Sequence, residues 1–232
     1  MKRLLFSLFL ISIFAISAKA QEKAFQFGFK IGPNIGWIKP NSEGYERDGV
    51  NGAFNWGFVA DIHLVENYSV HTGFNVLYLN GSYMYPYKAI PEGESEPVTG
   101  VMNRTLKLKY IQIPAVLRMK TQEMNNLTYY AEAGFGLAFK TKATADDLFT
   151  KDGATIKLEE KIDVGKQYRF SRESLILGLG AYYSLGPSTK LTGGIRFDNN
   201  FFDILKDQNT VDPTIEQKAI SNFVEITFGL LF

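Results

Sequence analysis

His63 and His71 are the only histidines of the chain, and Asp61 stands two residues before the first of them. If the chain turns back around Asn67, His63 faces His71 across a hairpin with Asp61 one same-face position along. Two imidazoles and a carboxylate could hold a transition metal. The plainer reading is a polar interior hydrogen-bonded to itself, and it is preferred here because metal binding needs a ligand geometry that spacing alone does not supply. A second set, Asp146, Asp147, Glu159 and Glu160, lies in the longest connection, where an acid pair could work on a substrate. Loop carboxylates are more often simply solvated, and both histidines map to the opposite end, so a Ser-His-Asp hydrolase would lack its base there. With no cysteine, no thiolate nucleophile, disulfide framework or cysteine zinc site exists. A non-enzymatic protein without cofactor is expected.

The elements that place these residues are strands. Period-2 alternation marks eight of them, near 25–37, 54–65, 68–83, 104–119, 127–141, 173–185, 190–204 and 222–232. Most exceed the usual five or six residues and suit the 9 to 11 that a tilted strand needs to cross a bilayer. Long connections at 38–53, 84–103, 142–172 and 205–221 alternate with short ones at 66–67, 121–126 and 186–189. Short turns at one rim and long loops at the other characterise outer-membrane barrels.

Face polarity agrees. In 190–204, Leu191, Gly193, Ile195 and Phe197 alternate with Thr192, Gly194, Arg196 and Asp198. In 127–141, Tyr129, Ala131, Ala133, Phe135, Leu137 and Phe139 alternate with Glu132, Gly134, Gly136 and Lys140. In "VEITFGLLF", Val224, Ile226, Phe228 and Leu230 alternate with Glu225, Thr227 and Gly229. Hydrocarbon outside and charge inside is the arrangement of a membrane barrel; a soluble barrel binding an apolar small molecule, the alternative, would reverse it. The expected fold is therefore an all-β, eight-stranded, antiparallel up-and-down transmembrane barrel, monomeric, with outer-membrane lipid as its surroundings. Asp61, His63, His71, Glu132, Arg196, Asp198 and Glu225 form its inward polar set. Inward charges of both signs should pair and fill a lumen of this size. In "RTLKLKYIQIPAVLRMK", Leu106, Leu108 and Tyr110 would point outward and Lys107 and Lys109 inward, with a bulge near Pro114 turning Ile111 and Ile113 to lipid.

Residues 1–20, "MKRLLFSLFLISIFAISAKA", carry Lys2 and Arg3, an apolar run and a small-x-small box at Ala18-Lys19-Ala20, the pattern of a cleaved secretory leader. A mature chain from Gln21 loses Lys2, Arg3 and Lys19 from the 25 basic residues, leaving 22 against 24 acidic ones. No nucleic-acid footprint follows from that balance. The loops "GSYMYPYKAIPEGESEPVTG" and "TADDLFTKDGATIKLEEKIDVGKQYRF" are where an extracellular or envelope protein partner would bind.

The segments "FGFKIGPNIGW", "YIQIPAVLRMK", "YYAEAGFGLAF", "LILGLGAYYSLG" and "VEITFGLLF", taken in order, resemble the PorT-like outer-membrane β-barrel family of the Bacteroidota. The resemblance implies an eight-stranded barrel in the bacterial outer membrane. It also brings a link to protein secretion through the family's namesake, but the matching residues are those that build a barrel, and fold does not carry function.

Overall fold

A computed structural model describes residues 24–91 and 95–232. The expected leader and its cleavage site lie outside the described residues. Ten strands form in chain order: β1 (Phe25–Pro40), β2 (Glu46–Arg47), β3 (Asn51–Val65), β4 (Tyr68–Ala89), β5 (Val98–Lys120), β6 (Leu127–Lys151), β7 (Ala154–Asp163), β8 (Ser171–Ser184), β9 (Lys190–Asn200) and β10 (Ala219–Leu231). Eight of them close a ring in which β1 pairs β3, then β4, β5, β6, β8, β9 and β10 follow, and β10 returns to β1, every pairing antiparallel. The short strands β2 and β7 dock on β4 and β6 outside this ring. Closure satisfies the edge groups of β1 and β10 in a medium that offers no water, and Phe232 adds a 2.8 Å bond from its N–H to the Phe27 carbonyl.

The lower wall is inside-out relative to a soluble protein. Phe135 and Ile195 are 62% and 59% exposed on its outside, while Glu132 and Arg196 are 5% and 2% exposed within. Rings collect at both margins of this apolar band, with Tyr129, Tyr183 and Phe232 near the short turns and the stacked Trp37–Phe197 pair at 6.2 Å near the long loops.

Above the band the polarity inverts on the strands that rise past it. Inward residues pass from Asn34 to Ile38 on β1, from Asn75 to Leu77 on β4, from Gln112 to Tyr110 on β5 and from Glu225 to Phe223 on β10. Outward residues change in the opposite sense, from Ile113 and Ile111 to Lys109 and Lys107 on β5. Bilayer outside demands a polar lumen only because the charges have nowhere else to go; water outside restores the ordinary apolar core. That core includes Leu79, Tyr83, Leu106, Leu108, Phe149, Tyr168 and Leu205. Gly81 lets β4 lie over β1 where β3 has ended, since a Cβ there would stand 2.8 Å from the Ile38 nitrogen.

This inversion corrects two sequence expectations. Leu106, Leu108 and Tyr110 point inward, and Lys107 and Lys109 outward, because that part of β5 has already left the apolar band. Pro114 pairs Gly136 with no irregularity; the register shift between β5 and β6 falls at Lys109/Tyr110, where Lys142 and Lys140 are the partners and Thr141 on β6 is the extra residue. The bulge therefore belongs to the neighbouring strand. It turns Ala143, Ala145, Asp147 and Phe149 inward where an unbroken alternation from Ala138 would have turned them out. The long loop at 142–172 is largely a hairpin of β6 and β7, joined by Asp152 and Gly153, both with φ above zero as a tight hairpin turn of this kind requires.

Candidate functional site

Among the described residues, five basic side chains (Lys30, Arg104, Arg118, Arg172, Arg196) and five acidic ones (Asp61, Glu132, Asp147, Asp198, Glu225) are buried, so the interior is charge-balanced. Four of each lie in the lumen of the lower barrel, with His71. Alternation places them: each occupies an inward position of its strand, and the cross-strand register brings opposite signs together.

Arg118 is the hub. Its Nε donates to Glu132 Oε2 at 2.8 Å, its Nη1 donates to Asp61 Oδ2 at 3.1 Å and to the Tyr182 hydroxyl at 2.5 Å, and its guanidinium lies 4.6 Å from the Tyr130 ring centroid. Glu132 accepts a second guanidinium through Arg196 Nε at 2.8 Å. Asp61 also meets His71 Nδ1 at 2.5 Å and accepts the Tyr182 hydroxyl at 2.7 Å. Lys30 Nζ pairs with Glu225 at 3.1 Å, while Arg172 pairs with Asp198 at 2.6 Å and donates to Ser221 Oγ at 3.0 Å. Each carboxylate has at least one cationic partner, as burial of charge requires.

The two histidines do not face one another. Asp61 pairs His71 and His63 pairs Ser69, because the hairpin turns at Glu66-Asn67 with Val65 opposite Tyr68 and because Leu64 is extra between His63 and Val65, each moving the register by one residue from the one expected. Asp61 and His71 are already engaged with Arg118, Tyr182 and each other. Among the described residues no group of three or more acidic, histidine or cysteine side chains could hold a metal ion. Of the inward set read from sequence, Asp61, His71, Glu132, Arg196, Asp198 and Glu225 are buried in the lumen and His63 is half-buried at its short-turn end. Sequence reading missed Arg118, Arg172, Lys30 and Tyr182. Lys30 and Tyr182 carried a usable signal in their strand parity, whereas Arg172 was placed in a loop.

In the upper core, Arg104 forks onto Asp147, with Nε 2.7 Å from Oδ1 and Nη2 2.5 Å from Oδ2. Asp146, next along β6, faces out instead, paired with Lys107. Adjacent strand residues point to opposite faces, so Asp146 and Asp147 share no site. Tyr45, Tyr83 and Tyr85 stack above Arg104, with centroids 5.3 to 6.5 Å apart, and the Tyr83 and Tyr168 hydroxyls share a 2.7 Å hydrogen bond. Burial pushes the Tyr168 hydroxyl up to about 12 against the pull of Arg104, and raises Tyr83 further with Tyr168 beside it. The charge network occupies the interior below and the aromatic core occupies it above.

The family described as "Outer membrane protein beta-barrel domain" matches residues 19–206. No curated protein matches. Among solved structures, Neisserial surface protein A is 14% identical over 88% of this chain and 95% of its own, with a TM-score of 0.37. Ail, the attachment invasion locus protein of Yersinia pestis, is 12% identical over 90% and 100%, TM-score 0.39. The outer membrane protease OmpT from Escherichia coli is 9% identical over 94% and 99%, TM-score 0.40. At these values the neighbours assign no role.

Proposed function

Because this chain belongs to the outer membrane protein β-barrel domain family and is integral to the bacterial outer membrane, we propose that it is a non-enzymatic barrel with a closed interior whose extracellular stump is its working part. The reading is supported above all by the filled interior: balanced ion pairs occupy the lumen at the level of Arg118, and the tyrosine core caps it at the level of Tyr83 and Tyr168. A wall so plugged neither conducts nor encloses a substrate cavity. What is left to do work is the surface of the stump, built from the ends of β4, β5 and β6 with β2 and β7, and the loops it carries. We assign it to the PorT-like barrels of the Bacteroidota, serving as a monomer in surface binding or as an accessory to secretion or envelope assembly.

Two measurements test this. Affinity capture from the native envelope should return a protein partner that is lost when residues 154–163 are replaced by a short turn; capture of nothing in either case overturns the binding role. Single-channel recordings of the folded protein in planar bilayers should show no steady open level, and a steady conductance overturns the closed interior.

A further inference from the structure

Lys109 on β5 and Lys142 on β6 are directly opposite one another in the sheet. Like charges in that relation destabilise the strand pair. Lys107, two residues along on the same face, is neutralised by Asp146, but neither Lys109 nor Lys142 has an acidic partner among the described residues; Lys109 only caps the Tyr78 ring at 5.3 Å. Both lie where the outer wall passes from apolar to polar, at the depth of a bilayer's headgroups. Below them, on the same two strands, the lipid-facing wall is notched. A groove of about 280 Å³ is lined by Ile113, Ala115, Phe135, Leu137, Glu173 and Phe201, with Ala115 as the small residue that opens it. Its upper end is four residues below Lys109, roughly 13 Å along the strand. Glu173 stands across from Leu137 on β8, and no described residue pairs with its carboxylate or donates a hydrogen bond to it.

We propose that this wall binds a phosphorylated lipid of the outer leaflet, with the phosphate between Lys109 and Lys142 and an acyl chain in the groove beneath. An anion between the two ammonium groups converts their repulsion into two attractions, which gives the juxtaposition a purpose that folding alone does not. The inference rests on the membrane placement of the lower barrel.

The test is lipid retention by the full-length folded protein, read by native mass spectrometry after exchange into mixtures of dioleoyl phosphatidic acid and dioleoylglycerol, which differ only in the phosphate. At about fivefold per lysine near a headgroup, phosphatidic acid should be retained about thirtyfold better. K109S/K142S should erase that preference, K109R/K142R should keep it, and Ala115→Trp should reduce retention of both lipids. Every variant is read only in preparations that keep heat-modifiable migration on a gel, so a failed membrane placement shows as lost detergent dependence rather than lost selectivity. Equal retention of the two lipids overturns the proposal, as does an unchanged preference in K109S/K142S. Full displacement by millimolar inorganic phosphate overturns the lipid assignment in favour of a bare anion site.

Discussion

Arg118 and Glu132 are direct cross-strand partners on β5 and β6, and they close a 2.8 Å ion pair inside the barrel. Arg118 spends its other end on Asp61, so one guanidinium serves two buried carboxylates. Arg118→Met leaves both short of a partner, and the folded barrel should lose about 3–5 kcal/mol. The urea midpoint of the protein refolded into vesicles measures this. Adding Asp61→Asn and Glu132→Gln to the same chain should restore part of the loss, because neutral amides tolerate burial better than orphaned carboxylates.

The tyrosines of the stump make it alkali-sensitive. A hydroxyl whose folded value is raised from 10.0 to about 12, as for Tyr168, has its stabilising effect fully present below pH 10. The effect is lost as pH climbs toward 12, since the unfolded state ionises first. Protease resistance of the stump should therefore fall between about pH 10 and 12 while the embedded wall stays folded. Tyr83→Phe with Tyr168→Phe should flatten that dependence; an unaltered alkaline profile in the double variant would contradict the assignment.

Deleting Thr141 removes the bulge without turning any other residue over: Lys140 and Lys142, the partners of Tyr110 and Lys109, become neighbours, and Ala143, Ala145, Asp147 and Phe149 keep their inward places. The deletion should therefore cost the stump far less than the roughly 3–5 kcal/mol that loss of the Arg104–Asp147 pair would. Gel migration of the heated and unheated protein should still differ, and limited proteolysis should leave 142–163 intact; cutting there would show that the bulge itself holds the upper part of β6.

Zinc should leave the protein unmoved. Asp61 and His71 are occupied by one another and by Arg118 and Tyr182, and His63 sits opposite Ser69 rather than His71. A rise in thermal stability on adding zinc, abolished by His71→Ala, would show that the pair opens to take a metal.

Period-2 alternation revealed the ring and its lipid band because the band forces large apolar side chains to one side of every strand, as at Val224, Ile226 and Phe228. It also pointed to Glu132, Arg196 and Asp198 as inward. The same rule misled at Lys107 and Lys109, since charge-inward holds only while hydrocarbon is outside, and nothing in the local pattern marks where β5 leaves it. Single-residue bulges were invisible as well. Leu64 and a turn at Glu66-Asn67 together displaced the histidines, and Thr141 reset the faces of β6, each without any signal in residue type. Arg118 went unseen because its role depends on which face that strand presents at its far end. Arg172 did so because a strand start was taken for a loop.

The strands β5 and β6 are 23 and 25 residues long, roughly twice what a bilayer crossing needs. At about 3.3 Å per residue and a tilt near 40°, the surplus lifts their upper ends on the order of 30 Å clear of the hydrocarbon. Held upright by a packed interior rather than by solvent-swollen coil, they form a stiff mast. The binding partner proposed above would then be met well away from the lipid surface, at the top of a rigid support rather than at the membrane itself.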